Sequence, residues 1–122
     1  MSISYFVRYD ISAVDVQRFI AHYREKHVAI LARWPGLQRV VLHTPVEWHD
    51  PFPVNRGSAV LLAQLEFVSR QAMEQAFQSK GRAEAREDFK QFPAFEGTVT
   101  HQAMAQDEVF RAPWLDGNEE GA

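Results

Sequence analysis

Between Val16 and Trp34 the chain carries apolar side chains at Val16, Phe19, Ile20, Tyr23, Ile30, Leu31 and Trp34. That is the i, i+3, i+4, i+7 recurrence of an amphipathic helix burying one stripe. A helix of this length must lie on a surface that the rest of the chain builds, so the stripe constrains the fold before any other segment is considered. One gap in it, between Tyr23 and Ile30, is filled by His27. A titratable ring is thereby aimed at whatever the helix covers. The helix is expected to run to about Arg33 and to stop at Pro35, with Gly36 making the turn.

The segments around it read as strands. Ile3 to Tyr9 (ISYFVRY) is β-branched and aromatic, and Leu37 to Val46 and Ser58 to Val68 are two more such runs. Ser12 with Asp15 resembles a capping box at the helix start. Glu47 to Gly57, with two prolines, an Asn and a Gly, reads as a long loop. Ser69 is placed to cap a second helix carrying Ala72, Met73, Ala76 and Phe77 inward. Gly81 interrupts that helix, and a shorter one is expected over Ala83 to Phe92. A fourth strand is expected over Gly97 to Phe110, followed by a loose tail.

The order β-α-β-β-α-β predicts an α+β, ferredoxin-like sandwich: a four-stranded antiparallel sheet with its helices on one face. The third strand carries apolar residues on both alternating sets, with Val60, Leu62 and Val68 opposite Leu61, Leu65 and Phe67. A face not covered by helices must be covered by something else, and a second copy of the chain is the cheapest candidate, so a homodimer is expected.

At 122 residues, 46% apolar and 24% charged, the chain has the composition of one soluble domain able to bury a core. With no cysteine there is neither a disulfide framework, nor a thiolate nucleophile, nor a cysteine-ligated metal. Asp116, Glu119 and Glu120 lie close to the end of the chain and account for the net charge of -3. The rest is balanced and offers no positive field for nucleic acid. No apolar run is long enough to span a membrane, and MSISYFVRY lacks the layout of a signal peptide, so a cytoplasmic location is expected.

Several side chains are candidates for chemistry. His27 is either a core histidine held by a hydrogen bond or an acid/base group, since imidazole takes and returns a proton near neutrality. His43, on the second strand, is the candidate for a second acid/base group across a cleft, or a partly exposed strand residue. Tyr5, Tyr9, Tyr23, Trp34 and His49 are candidate substrate-binding residues, the tyrosines as hydroxyl donors and His49 from a loop able to fold over a cavity mouth. Arg8 is a carboxylate binder or a salt-bridge residue. No histidine pair has the spacing of a preformed metal site, and His22 and His27, five apart on an α-helix, point in different directions. Neither a metal nor a cofactor is therefore expected.

The stretch FIAHYREKHVAILARWPGLQRVVLH (Phe19 to His43) resembles the signature of the EthD family, named for ethyl tert-butyl ether degradation. The pattern is an aromatic residue, Arg and His on a helix, with Pro-Gly-Leu beginning eight residues after the His, here His27 and Pro35. AREDFKQFP (Ala85 to Pro93) resembles the acidic-aromatic repeat before the last strand of that family. The resemblance covers most of residues 3 to 108, which makes residues 1–110 one EthD-like domain and 111–122 a tail. It implies the dimeric α/β barrel, in which two sheets pack back to back, and a cleft between sheet and helices in each subunit. It also implies that His27 lines that cleft and takes part in catalysis, although Val40 stands where many members carry a tyrosine. The function implied is small-molecule catabolism: a cofactor-independent isomerase, cyclase or lyase acting on a carbonyl, lactone or aromatic compound. A non-catalytic protein binding a small apolar or aromatic ligand and a monooxygenase of the same superfamily are the alternatives.

Overall fold

The computed structural model describes residues 1–116. Its elements follow the order β1 (Ile3–Ala13), α1 (Val16–His22), a π-helical turn (Tyr23–His27), α2 (Val28–Leu31), β2 (Leu37–His43), β3 (Leu61–Phe67), α3 (Arg70–Phe77), α4 (Lys80–Phe89) and β4 (Phe95–Ala105). The strands form one sheet in the order β2-β3-β1-β4, every neighbouring pair antiparallel. This is the ferredoxin-like α+β arrangement expected from the sequence: the crossover from β1 to β2 leaves one strand's width open, and β3 fills it.

Alternation along the strands decides where the core lies. Tyr5, Val7, Tyr9 and Ile11 of β1 and Leu61, Ala63, Leu65 and Phe67 of β3 are buried beneath the helices with Phe19, Ile20, Leu31, Met73 and Ala76. Fully burying side chains such as Phe19, Leu61, Leu65 and Phe67 contributes roughly 1.5–3 kcal/mol each. On the opposite face Phe6 and Leu62 are half-buried and Met104 is 49% exposed. Gln64, Arg39 and Glu66 share that face, with an Arg39–Glu66 ion pair at 2.8 Å. The outer face is thus more mixed than the apolar content of β3 suggests.

Several boundaries differ from those expected. β1 continues to Ala13 because Ser12 and Ala13 pair with Glu96 and Phe95 of β4. Ser12 is consequently a strand residue, and Asp15 caps α1, its carboxylate accepting from the Arg18 N–H at 3.0 Å. β2 ends at His43, which pairs with Leu62 near the start of β3. β4 ends at Ala105, opposite Ile3, where β1 begins; only the Gln106 N–H to Ser2 carbonyl bond extends the pairing.

Gly81 does not interrupt a helix. Ser79 caps α4, so Gly81 lies in its first turn, and a Cβ there would meet Trp34 Cδ1 at 2.7 Å. The residue is small because Trp34 packs against it. Gly36, at φ +80°, makes the turn that follows the first helical segment, as expected. Pro113–Asp116 forms a 3-10 turn with Trp114 exposed, and the remainder of the tail, 117–122, lies outside the described residues. Among the described residues no helix is long and apolar enough to cross a membrane.

Candidate functional site

The stripe that contains His27 is not a regular α-helix. Between Tyr23 and His27 the backbone widens into a π-turn, closed by the Val28 N–H donating to the Tyr23 carbonyl, an i→i+5 bond. On a regular α-helix residues five apart are rotated by roughly 140°. The wider turn removes much of that angle. His22 and His27 therefore do not point apart, as the spacing predicts for an α-helix; both reach Asp88 on α4. The His27 Nδ1 lies 2.8 Å from Asp88 Oδ2, and the His22 Nε2 lies 3.1 Å from the same oxygen.

A carboxylate can only accept, so the His27 Nδ1 carries the hydrogen and donates it to Asp88. Nε2 is left with its lone pair and has no protein partner among the described residues. Among these residues the deeply buried side-chain atom lacking a partner is Trp34 Nε1, so His27 Nε2 is not sealed off. His27 as a residue is only 6% exposed, and its ring is packed edge-on against Phe92 at 4.9 Å between centroids. Phe92 packs against His22 in the same way, at 5.0 Å. Both imidazoles are thus held by a shared carboxylate and a shared aromatic ring.

His27 lines a largely apolar cavity of about 180 Å³ between the helices and the sheet. Four of the expected binding residues, Tyr5, Tyr9, Tyr23 and Trp34, line it with His27. Burial holds the His27 imidazole below its ordinary value, against the hydrogen bond and charge of Asp88, which pull it up. The ring is accordingly neutral at pH 7. Burial also raises the Tyr9 and Tyr23 phenols well above the ordinary tyrosine range, so both remain protonated donors. The site joins a neutral base, fixed in one tautomer, to phenol donors in a cavity of low polarity.

The other expected residues lie elsewhere. His43 pairs with Leu62, whose side chain is on the sheet face away from the helices, and it contacts Gln64 at 3.1 Å. A strand side chain on that face cannot reach across a cleft on the other, so the expectation for His43 is corrected. His49 is exposed in the irregular segment after β2 and does not line the cavity. Arg8 forms an ion pair with Asp10 at 2.7 Å.

Sequence reasoning missed Asp88, Arg82, Arg86 and His101. The last three line the cavity, and Tyr5 Oη lies 2.6 Å from His101 Nδ1. Arg82, Ala85, Arg86 and Phe89 recur at three- and four-residue spacing on α4, the signal of one helical face. Charged residues among them disguise that face as a solvated one. Among the described residues, no group of three His, Cys, Asp or Glu side chains is arranged to hold a metal ion.

These features define a ferredoxin-like α+β protein with a histidine–aspartate pair in an apolar cavity. No protein-family model and no curated relative matches the sequence. Solved structures match the fold. An ethyl tert-butyl ether degradation (EthD) family protein from Bacillus halodurans is 18% identical with a TM-score of 0.70, over 88% of this chain and 100% of that one. SnoaB, a cofactor-independent oxygenase from Streptomyces nogalater, is 14% identical with a TM-score of 0.60, over 91% and 98% of the two chains. A dimeric ferredoxin-like protein of unknown function from Bacteroides fragilis is 8% identical with a TM-score of 0.56, over 84% and 94%. The resemblance read from Phe19 to His43 thus holds at the level of fold.

Proposed function

We propose that this chain is a cytoplasmic enzyme of small-molecule catabolism that moves a proton on a carbonyl, lactone or aromatic compound without a cofactor, as an isomerase, cyclase or lyase. The observation that carries the reading is the 2.8 Å contact between His27 Nδ1 and Asp88 on a ring that lines an apolar cavity. In this reading Nε2 takes a proton from carbon next to a carbonyl, and Asp88 orients the ring and stabilises the imidazolium as it forms. A protonated Tyr9 or Tyr23 donates to the developing enolate oxygen. The same imidazolium then returns the proton at a second position. Burial serves the mechanism by keeping His27 neutral, and therefore basic, at working pH.

The likeness to SnoaB supports a second reading, oxygenation without a cofactor, and uptake of dissolved oxygen during turnover separates the two. The dimeric neighbour and the half-buried outer sheet face support a homodimer built back to back into a barrel, with residues 1–110 as the EthD-like domain of each subunit.

The test is solvent exchange. Small enolisable ketones and lactones incubated with the protein in heavy water are expected to gain deuterium next to the carbonyl, read by proton NMR. His27→Gln and Asp88→Asn are expected to abolish that gain while the thermal melt remains cooperative. Exchange that persists at the parental rate in both variants would overturn the assignment of His27 as the base.

A further inference from the structure

The polar groups of the cavity are unequally distributed by charge. Arg82 and Arg86, four residues apart on α4, both line it, and no Asp or Glu side chain does. Of the carboxylates on the same helix, Glu84 pairs with Arg33, Glu87 with Lys90, and Asp88 is engaged by the two histidines. Among the described residues neither Arg82 nor Arg86 has a carboxylate within ion-pair distance. Arg82 is nevertheless held in position. Its guanidinium lies 4.4 Å from the centre of the Phe77 ring and 5.7 Å from that of Trp34. Stacking of this kind orients the planar fork without occupying its N–H donors. The Trp34 indole N–H is sealed within the wall without an acceptor and brings no negative charge to this end of the cavity.

This end of the cavity carries two positive charges and no carboxylate, and its neutral acceptors, the Tyr5 hydroxyl and the His101 ring, do not balance them. Apolar walls strengthen the field of the half-buried Arg82 guanidinium at a bound group, because less water screens it than screens the exposed Arg86. A guanidinium is matched in shape to a carboxylate, which it grips with two parallel bonds. Size narrows the ligand further. A dry protein cavity of about 150 Å³ takes a benzene molecule, and this one, at about 180 Å³, has room for one ring and a substituent.

We propose that Arg82 and Arg86 form an anion subsite, so that the natural ligand is a one-ring aromatic or unsaturated carboxylic acid whose carboxylate docks on α4 and whose ring extends toward His27. The inference rests on the reading of His27 as the base of the site and names the substrate class for it. Arg82 is the oriented contact. Arg86, more exposed at the same end, is the steering charge. Burial raises the Tyr5 phenol and lowers the His101 imidazole, and the two arginines act on both groups, consistent with one shared positive field.

The experiment is a fluorine NMR titration of the full chain with 4-fluorobenzoate and with its neutral isostere, 4-fluorobenzamide. The acid is expected to bind about tenfold more tightly or better, a difference that narrows as salt is raised. Arg86→Met, at an exposed position that the fold does not need, is expected to weaken binding of the acid several-fold and leave the amide unchanged. Arg82→Met is expected to do the same more strongly. Equal binding of acid and amide, no binding of either, or an acid affinity indifferent to both substitutions would overturn the anion subsite. The outcome is separable from failure of the base. His27→Gln is expected to keep the preference for the acid while losing solvent exchange. Preference for the acid in a parental protein that exchanges no substrate proton would sink the base and leave the subsite.

Discussion

Asp88 is the residue on which the site turns, because one of its oxygens is shared by two imidazoles that the backbone brings together. Replacing it by Asn keeps the shape but removes the charge that stabilises a protonated His27. The expected result is a loss of turnover of about 10²-fold or more, with a stability loss of about 1–3 kcal/mol from the weakened buried bonds. Parallel kinetics and thermal melts check both. The titration of His27 yields a second expectation. Its pKa is held below 6.5 in the folded protein, so below that value the unfolded chain binds the proton more readily than the folded one. The contribution is complete above the unfolded value and is lost as pH falls toward the folded one. The groups facing the ring, Asp88 and His22, and the cavity's His101, Arg82 and Arg86 remain in place in the control variant. Melting temperature should therefore decline as pH falls below 6.5, and His27→Gln should flatten part of that slope. A parallel decline in both proteins would exclude His27 as its source.

At the scale of the element, the π-turn reconciles a five-residue spacing with a single helix face. Deleting Glu25, exposed within the turn, leaves the two histidines four apart, a spacing that a regular α-helix already puts on one face. The deletion is expected to close the bulge, keep both imidazoles on Asp88 and retain a cooperative melt; nitrogen NMR of the imidazoles reads the contact. Loss of either imidazole–Asp88 contact would mean that the wide turn does more than correct the register. In α4 the corresponding feature is Gly81. Alanine there gains up to about 1 kcal/mol of helix propensity but drives a methyl group into Trp34, and overpacking of that kind costs about 1–3 kcal/mol. Gly81→Ala is expected to destabilise the protein on balance and to shift the fluorescence of Trp34, and with it the wall of the cavity.

At the scale of the molecule, the proposed dimer depends on the outer sheet face, where Phe6, Leu62 and Met104 lie among polar residues. Sedimentation is expected to find a species of twice the 14.0 kDa chain. Leu62→Asp should dissociate it while leaving far-UV circular dichroism unchanged, because Leu62 is on the face opposite the core. A monomeric parent protein at micromolar concentration would refute the dimer. The cavity lies on the helical side of the sheet, so dissociation should leave its ligand preference intact.

The order of elements, the amphipathic helix, the Pro35-Gly36 stop and the place of His27 in the buried stripe were legible in the sequence, because period, turn chemistry and burial are local properties. The tyrosines of the cavity were legible for the same reason, as inward positions of β1 and of the helix. The carboxylate that gives His27 its tautomer was not. Asp88 is 61 positions away, on a helix whose charged residues look solvated, and only packing of α4 against the π-turn joins them. The π-turn was hidden as well, since ordinary helical spacing sends His22 and His27 to different faces. His43 went the opposite way: its chemistry suited a site, but its register with Leu62 put it on the wrong side of the sheet. Side-chain chemistry and local period are written in the chain itself, whereas which side chains converge across a cavity is decided only when helices and sheet pack, because that convergence depends on strand register and on contacts between residues far apart in sequence.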